Sequence, residues 1–362
     1  MNEREIVKLF LENGFQISVS ALSLVKEDPE GILHELKKLR PRPFIVTENH
    51  VKKIINEAGG KKPQIKILKE FHLTKKPIKI EDYTKHFLSR YEKMRNILLK
   101  HTSLKRLISI NKITPKTQDF SIIGLVREKK TNSLLVEDPT GEIHVFFEDN
   151  MKTKFDEIFL DDVIGLKCKR VGEKFYADTV IFPDIPLDRK IHKTENEMKI
   201  MVVSNPSTLN DESYQKLVNL ANNTKHLSSI FIFWNEDVES LEELSKFNLI
   251  NIPKKFSPTI FQVSNVNILA IPKHFFNGLN HRINKNILTS MLKKRHVLPT
   301  FDLKVHVDTD NLILESVPDI IVSNMNEGFY KNYKGTTIVS NKDAHKIFII
   351  DLKTREVDEK TI

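Results

Sequence analysis

"MKIMVVSNPSTLND", residues 198–211, reads as a buried strand that runs off its carboxyl end into a polar loop. Ile200, Met201, Val202 and Val203 follow one another without a polar break, the pattern of a strand covered on both faces. Asn205 and Ser207 are the first polar side chains past that end. Runs of the same kind recur as "SIFIFW" (229–234), "NLINIP" (248–253), "NILAIP" (267–272), "DIIVS" (319–323), "TTIVS" (336–340) and "KIFIID" (346–351). A helical segment, "DESYQKLVNLANNTKHL" (211–227), stands between the first two. Together they predict an α/β sandwich over 198–362, and ligands of such sheets bind at the carboxyl ends of the strands.

Upstream, "PDIPLDRKIHKTENE" (183–197) is a Pro-containing polar crossing, and before it the pattern becomes one of short alternating strands. "DFSIIGLVREKK", "SLLVEDPTGEIHVFF" and "VIGLKCKRVGEKFYADTVIFP" supply about five strands over 113–187, with the tight turn "DPTG" (138–141) and a helix-compatible "NMKTKFDEIF". This predicts a small barrel of the OB type, a class that binds single strands by aromatic stacking over a basic groove. Phe146, Phe147, Phe175 and Tyr176 are the aromatic candidates, though aromatic residues in a barrel this small more often fill the core than stack on bases.

Further upstream, "IEDYTKHFLSRYEKMRNILLK" predicts a helix over 80–100 with Phe87, Leu88, Tyr91, Met94 and Leu98 as a stripe beside Lys85, Arg90, Lys93 and Arg95. Residues 61–79 are lysine-rich without a clear period and read as a linker, so 61–112 is a basic linker carrying one helix. Residues 1–60 predict a small helical bundle. Helices are expected near 3–12 and 19–26, from Pro29 with Ile32, Leu33, Leu36 and Leu39 on one face, and from Thr47 with Val51, Ile54, Ile55 and Ala58, stopped by Gly59 and Gly60.

The chain has 362 residues and a net charge of +9, and the charge is unevenly spread. Residues 1–112 hold 24 Lys/Arg against 13 Asp/Glu; the remaining 250 hold 33 against 35. Such a basic end suits nucleic acid or an acidic partner, or is a solvated lysine-rich surface. Cys168 stands alone, so no internal disulfide forms and a reducing, cytoplasmic setting is expected; no signal-like or membrane-spanning run is read.

"MLKKRHVLPT" (291–300), "VPDIIVSNMNEGFYKNYKGTTIVSN" (317–341), "SRYEKMRNIL" and "VEDPTGEI" resemble the small, B-type subunit of the archaeal family D DNA polymerase. The resemblance covers the chain from the first helix onward and is most specific in the last 75 residues or so. It implies a multidomain α+β fold: helical module, OB barrel, calcineurin-like phosphoesterase domain. It also implies a large catalytic polymerase subunit as partner, and DNA, single strands included, as ligand.

Active relatives of that kind carry a 3′-5′ exonuclease site with two divalent metals about 4 Å apart, which requires carboxylates and imidazoles from several strand ends. By the resemblance, those ligand positions fall here on Asn205, Ser207, Asn235, Lys255, Phe256, Pro272, Met325 and Glu327. A neutral amide is a weak ligand, and a lysine repels a dication. The expectation is therefore a degenerate phosphoesterase domain with no metal and no cofactor, retained as scaffold in a non-catalytic accessory subunit. Lys75, Lys76, Lys79, Arg90, Lys93, Phe146, Phe175 and Tyr176 are the residues expected to meet nucleic acid. Two alternatives stay open. One is an active exonuclease subunit with a relocated site drawn from Asp237, His274, His281, His296 or Glu327; the other is a stand-alone single-strand binder acting through its barrel.

Overall fold

The computed structural model describes residues 2–26, 29–39, 41–51, 65–71, 79–235, 241–276, 286–298 and 309–362, and it divides into one unit over Met1–Gln64 and another over Ile65–Ile362. In the first, α1 (Glu3–Glu12) starts with a capping box: Asn2 Oδ1 accepts from the Glu5 amide and the Glu5 carboxylate accepts from the Asn2 amide. With α2 (Val19–Val25) and α3 (Pro29–Lys38) it encloses Ile6, Phe10, Phe15, Val25, Leu33 and Leu36. A short parallel pair, β1 (Gln16–Ile17) and β2 (Ile45–Val46), was not foreseen. The expected cap Asp28 and the positions Ile54, Ile55, Ala58, Gly59 and Gly60 lie outside the described residues.

The second unit is mixed α and β. Its strand β3 (Ile65–Glu70) corrects the reading of 61–79 as linker throughout, because it pairs antiparallel with β12 (Thr259–Val263). Lys66 and Lys69 hid its character. Lysine on an outermost strand guards the open edge against further pairing, and here Lys69 also reaches the Ile313 carbonyl at 3.0 Å. Helix α4 (Ile80–Leu98) follows, with His86, Arg90, Met94 and Leu98 buried at four-residue spacing.

Five strands then close into a barrel: β4 (Asp119–Lys129), β5 (Ser133–Asp138), β6 (Gly141–Phe146), β7 (Val163–Val171) and β8 (Lys174–Ile181), ordered β4-β5-β6-β8-β7. Short helix α5 (Lys152–Asp156) sits between β6 and β7. All barrel pairings are antiparallel except β6 with β8, where Val145 and Phe146 face Phe175 and Tyr176 in parallel. Gly124 lets β4 pass close to β5: a Cβ there would stand 2.2 Å from Val136 Cγ1 and 2.9 Å from the Glu137 carbonyl oxygen. Asp138 fixes the β5–β6 turn, accepting from the Thr140 amide at 2.7 Å and from the Ile110 amide at 2.9 Å. Cys168 is inside the barrel, where burial, helped by the charge of Asp178, pushes its thiol up to about 12 and leaves it inert.

The rest is a two-sheet sandwich. One sheet runs β11-β10-β9-β17-β18, from β9 (Lys199–Ser204), β10 (Leu227–Phe233), β11 (Asn248–Ile252), β17 (Lys346–Asp351) and β18 (Val357–Thr361). The other runs β15-β16-β14-β13-β12-β3, with β13 (Val266–Ile271), β14 (Ile320–Ser323), β15 (Phe329–Tyr333) and β16 (Thr336–Ser340). Ile200, Val202, Phe231 and Phe233 meet Phe261, Ile268, Val322 and Val339 between the sheets. Met201, Val203, Ile230 and Ile232 point the other way, under α6 (Asp211–Asn223). Helix α7 (Ile287–Lys294) covers the second sheet through Leu288, Met291 and Leu292. Alternate residues of one strand thus enter two different cores, which is why positions 200–203 are apolar without a break. Each fully buried side chain of this size contributes about 1.5–3 kcal/mol. No described helix is long and apolar enough to cross a membrane.

Candidate functional site

Three strands of the sandwich leave their sheets on the same tripeptide: Val203-Ser204-Asn205 from β9, Val322-Ser323-Asn324 from β14 and Val339-Ser340-Asn341 from β16. In each, the serine hydroxyl donates to the carbonyl of a neighbouring segment: Ser204 to Asn341 at 2.6 Å, Ser323 to Ile271 at 2.6 Å, Ser340 to Glu327 at 2.8 Å. The asparagine carboxamide oxygen accepts a backbone amide: Asn205 from Asn235 at 2.7 Å, Asn324 from Lys273 at 2.8 Å, Asn341 from Asp343 at 3.1 Å. Asn205 is in the left-handed region (φ 51), a conformation that asparagine tolerates. Its own amide donates to the Phe233 carbonyl at 2.7 Å, so one residue ties the exits of β9 and β10 together.

The other positions where the resemblance puts metal ligands stand in unlike surroundings. Ser207, Lys255 and Glu327 are exposed, and Pro272 is buried. Phe256 stacks on Phe261, with centroids 6.3 Å apart and planes at 10°. Met325 is in the core under α7, 3% exposed, with its amide donating to Ser340 Oγ. The imidazole of His274 is driven down by burial first and then by Lys273 and Lys254, so the field around it repels cations. Among the described residues, no group of three or more His, Cys, Asp or Glu is placed to share a metal. Of the other relocated-site candidates, Asp237 and His281 lie outside the described residues.

His296, also named for that role, is at the junction of barrel, α4 and sandwich. Asp310, wholly buried, accepts from Arg90 Nε at 2.5 Å and stands 2.8 Å from His296 Nε2, with His86 Nε2 at 3.7 Å. The Leu298 amide donates to His296 Nδ1 at 3.0 Å, so the ring is the neutral tautomer with its proton on Nε2, aimed at Asp310. Burial would raise the Asp310 carboxyl, but His296, Arg90 and His86 together hold it well below the usual carboxylate range. Burial, aided by the charge of Arg90, pushes His296 down against the pull of Asp310.

The preceding residues complete a clamp. Lys293 pairs with Glu157 at 2.5 Å, Lys294 pairs with buried Asp162 of the barrel, and Arg295 donates to the carbonyls of Leu314 and Glu315 at 2.7 and 2.6 Å. "KKRH" is therefore an ionic joint between barrel and sandwich.

Two expected nucleic-acid residues belong to that joint. Arg90 is 2% exposed, and Lys93 Nζ donates to the Asp310 carbonyl at 2.8 Å, so neither reaches a phosphate in this arrangement. The four-residue spacing of His86, Arg90, Met94 and Leu98 is the signal that places Arg90 inward. Lys75 and Lys76 lie outside the described residues, and Lys79 is exposed as the N-cap of α4.

On the barrel, Phe146 and Tyr176 face each other half-exposed, with centroids 5.8 Å apart, and Lys174 Nζ stands 5.0 Å over Phe146. Phe175 is divided between surface and core: it packs edge-on against Phe120 at 5.3 Å and carries Arg170 over its face at 5.4 Å. Phe147 is buried, 5% exposed. The open patch is thus Phe146, Tyr176 and Lys174, bordered by Arg170, which sequence reasoning had not singled out.

No family model matches the chain. Among curated proteins it is similar to small subunits of archaeal DNA polymerases. These relatives are DNA polymerase II small subunits from Methanothermobacter thermautotrophicus (23% identical, covering 72% of this chain and 72% of the relative), Pyrococcus horikoshii (24%, 67% and 53%) and Archaeoglobus fulgidus (22%, 51% and 43%). The resemblance read from the motifs is therefore shown, although the chain spans only about half the length of the last two. Solved structures give the Schizosaccharomyces pombe Stn1-Ten1 complex (TM-score 0.18, 15% identical, covering 21% of this chain and 72% of that one). They also give a Thermotoga maritima protein determined by NMR (TM-score 0.27, 14% identical, 46% and 99%). Neither likeness is strong enough to bear on the fold.

Proposed function

We propose that this chain is a non-catalytic accessory small subunit of a family D replicative DNA polymerase. It clasps a large catalytic subunit and helps to present DNA. In this reading 113–187 is an OB barrel, supported by the strand order and the one parallel closure, and 198–362 is a degenerate calcineurin-like phosphoesterase domain, supported by two sheets flanked by α6 and α7. The observation that carries the reading is the 2.7 Å hydrogen bond from the Asn235 amide to Asn205 Oδ1. Two positions that would present carboxylates to metal ions are joined to each other instead, through neutral groups.

The test is calorimetric titration of Mn²⁺ into the purified chain, with a parallel assay on a 3′-labelled single strand. The expected result is no stoichiometric binding and no degradation, and Lys255→Ala is expected to leave both at zero, since a missing lysine supplies no carboxylate. Two bound ions per chain with 3′-5′ degradation would overturn the reading. Co-expression with the large polymerase subunit is expected to yield a stable complex.

DNA is held, in this proposal, by the barrel patch. Phe146→Ala and Tyr176→Ala are each expected to weaken single-stranded DNA binding by about 1–3 kcal/mol, the scale of one stacked base. Lys174→Ala is expected to flatten the salt dependence, because one fewer counterion is released. Fluorescence anisotropy across a salt series reads both; unchanged affinity in all three variants would remove the barrel from DNA binding.

A further inference from the structure

Helix α4 has two working faces. His86, Arg90, Met94 and Leu98 are buried in the joint described above, whereas Ile80, Tyr83, Phe87, Leu88 and Tyr91 recur at three- and four-residue spacing along a second face. That face and the barrel residue Leu125 border an open groove of about 460 Å³. Ile80 is 86% exposed and Leu88 44%, so an apolar stripe runs along the groove toward solvent. From Ile80 to Tyr91 the stripe is roughly 16 Å long at 1.5 Å per residue, the length of about three turns of a facing helix.

The far wall carries unbalanced acid. Glu137 of β5 and Glu142 of β6 are directly opposite in the ladder, like charges on one face of a sheet, which is unfavourable without a cation. Arg127 answers only part of this: its Nε is 3.2 Å from Glu137, and its guanidinium lies 6.0 Å over the Phe87 ring. Asp138 adds a further carboxylate to the same wall, and Arg95 stands beside Tyr91 at the other end. Burial of Glu137, with Glu142 and Asp161 adding to it against Arg127, raises its carboxyl.

We propose that this groove receives a short amphipathic helix of the large polymerase subunit, its aliphatic side chains lying along Ile80, Phe87 and Leu88 and a lysine or arginine set between Glu137 and Glu142. The inference rests on the functional reading above in taking that subunit as the source of the helix. The mode is an apolar helix face laid in a groove, with acidic residues setting its direction.

The test co-expresses the full-length chain with the large subunit and measures the affinity of the reconstituted pair for wild type, Leu88→Glu, Glu142→Lys and, as control, Leu187→Glu. Leu187 is 86% exposed and lies outside the groove. Leu88→Glu is expected to weaken assembly about tenfold or more, the scale of an interface anchor. Glu142→Lys is expected to weaken it severalfold and to reverse the salt dependence of that loss, and Leu187→Glu is expected to match wild type. Leu88 and Glu142 are both exposed, so circular dichroism is expected to be unchanged. Wild-type assembly with all three variants equal to it overturns the groove alone. Equal loss in Leu88→Glu and Leu187→Glu overturns it as well. No assembly by wild type overturns the functional reading, and the groove with it.

Discussion

Asp310→Ala is expected to lower the free energy of unfolding by roughly 3–5 kcal/mol, the cost of stranding buried charge rather than the value of a bond. Arg90, at 2% exposure, would lose its carboxylate while keeping contacts such as the Asp161 carbonyl and His86. His296 Nε2–H and the Leu312 amide, which donates to Asp310 Oδ1 at 3.0 Å, would lose their acceptor too. Urea titration reads the result: the midpoint falls while the slope stays constant, because the surface exposed on unfolding is the same. The double variant Arg90→Met, Asp310→Leu is expected to recover a large part of the loss, since apolar pairs of similar volume often replace a buried ion pair without penalty. A single variant within 1 kcal/mol of wild type would show that water reaches the joint.

The second large effect is with pH. In the unfolded chain His296 takes up a proton below about 6.5. In the folded chain its pKa is lowered, so protons favour the unfolded state as pH falls below 6.5, at about 1.4 kcal/mol per pH unit until the folded value is reached. Asp310 acts lower down. Its folded pKa is depressed, so its contribution is whole above about 3.9 and disappears as pH drops through the folded value. Urea midpoints are expected to hold from pH 7.5 to about 6.5 and then fall steadily to about pH 5, and His296→Gln, less stable at pH 7.5, is expected to show a shallower slope over that lower span. Equal slopes in the two proteins would mean that the acid sensitivity originates in another group, such as His274.

Much of the sandwich is legible because burial on both faces leaves strands no room for polar residues, and "KIMVVS" and "SIFIFW" announce themselves. Strand β3 is not legible in that way. An edge strand needs only one good face, and lysines at 66 and 69 erase even that alternation. The barrel's open patch was partly visible: Phe146 and Phe147 are adjacent, and only the register with β8 decides which of them turns outward. Arg90 and Lys93 misled because a charge count treats every cation as solvated, whereas helical spacing puts Arg90 against a carboxylate 220 positions away in sequence. The positions where the resemblance puts metal ligands were readable one at a time from its motifs. One of those positions, Asn205, belongs to a thrice-repeated Val-Ser-Asn, whose meaning depends on where the three strands end.

Those three exits also set what the protein requires of its surroundings. A rim of converging carboxylates repels itself until a cation arrives, so its order depends on the concentration of that ion. Here the three exits are closed by neutral groups, each serine hydroxyl paired with a carbonyl and each asparagine oxygen with a backbone amide. Under the proposed function, the sandwich is expected to keep one shape whether manganese is scarce or plentiful.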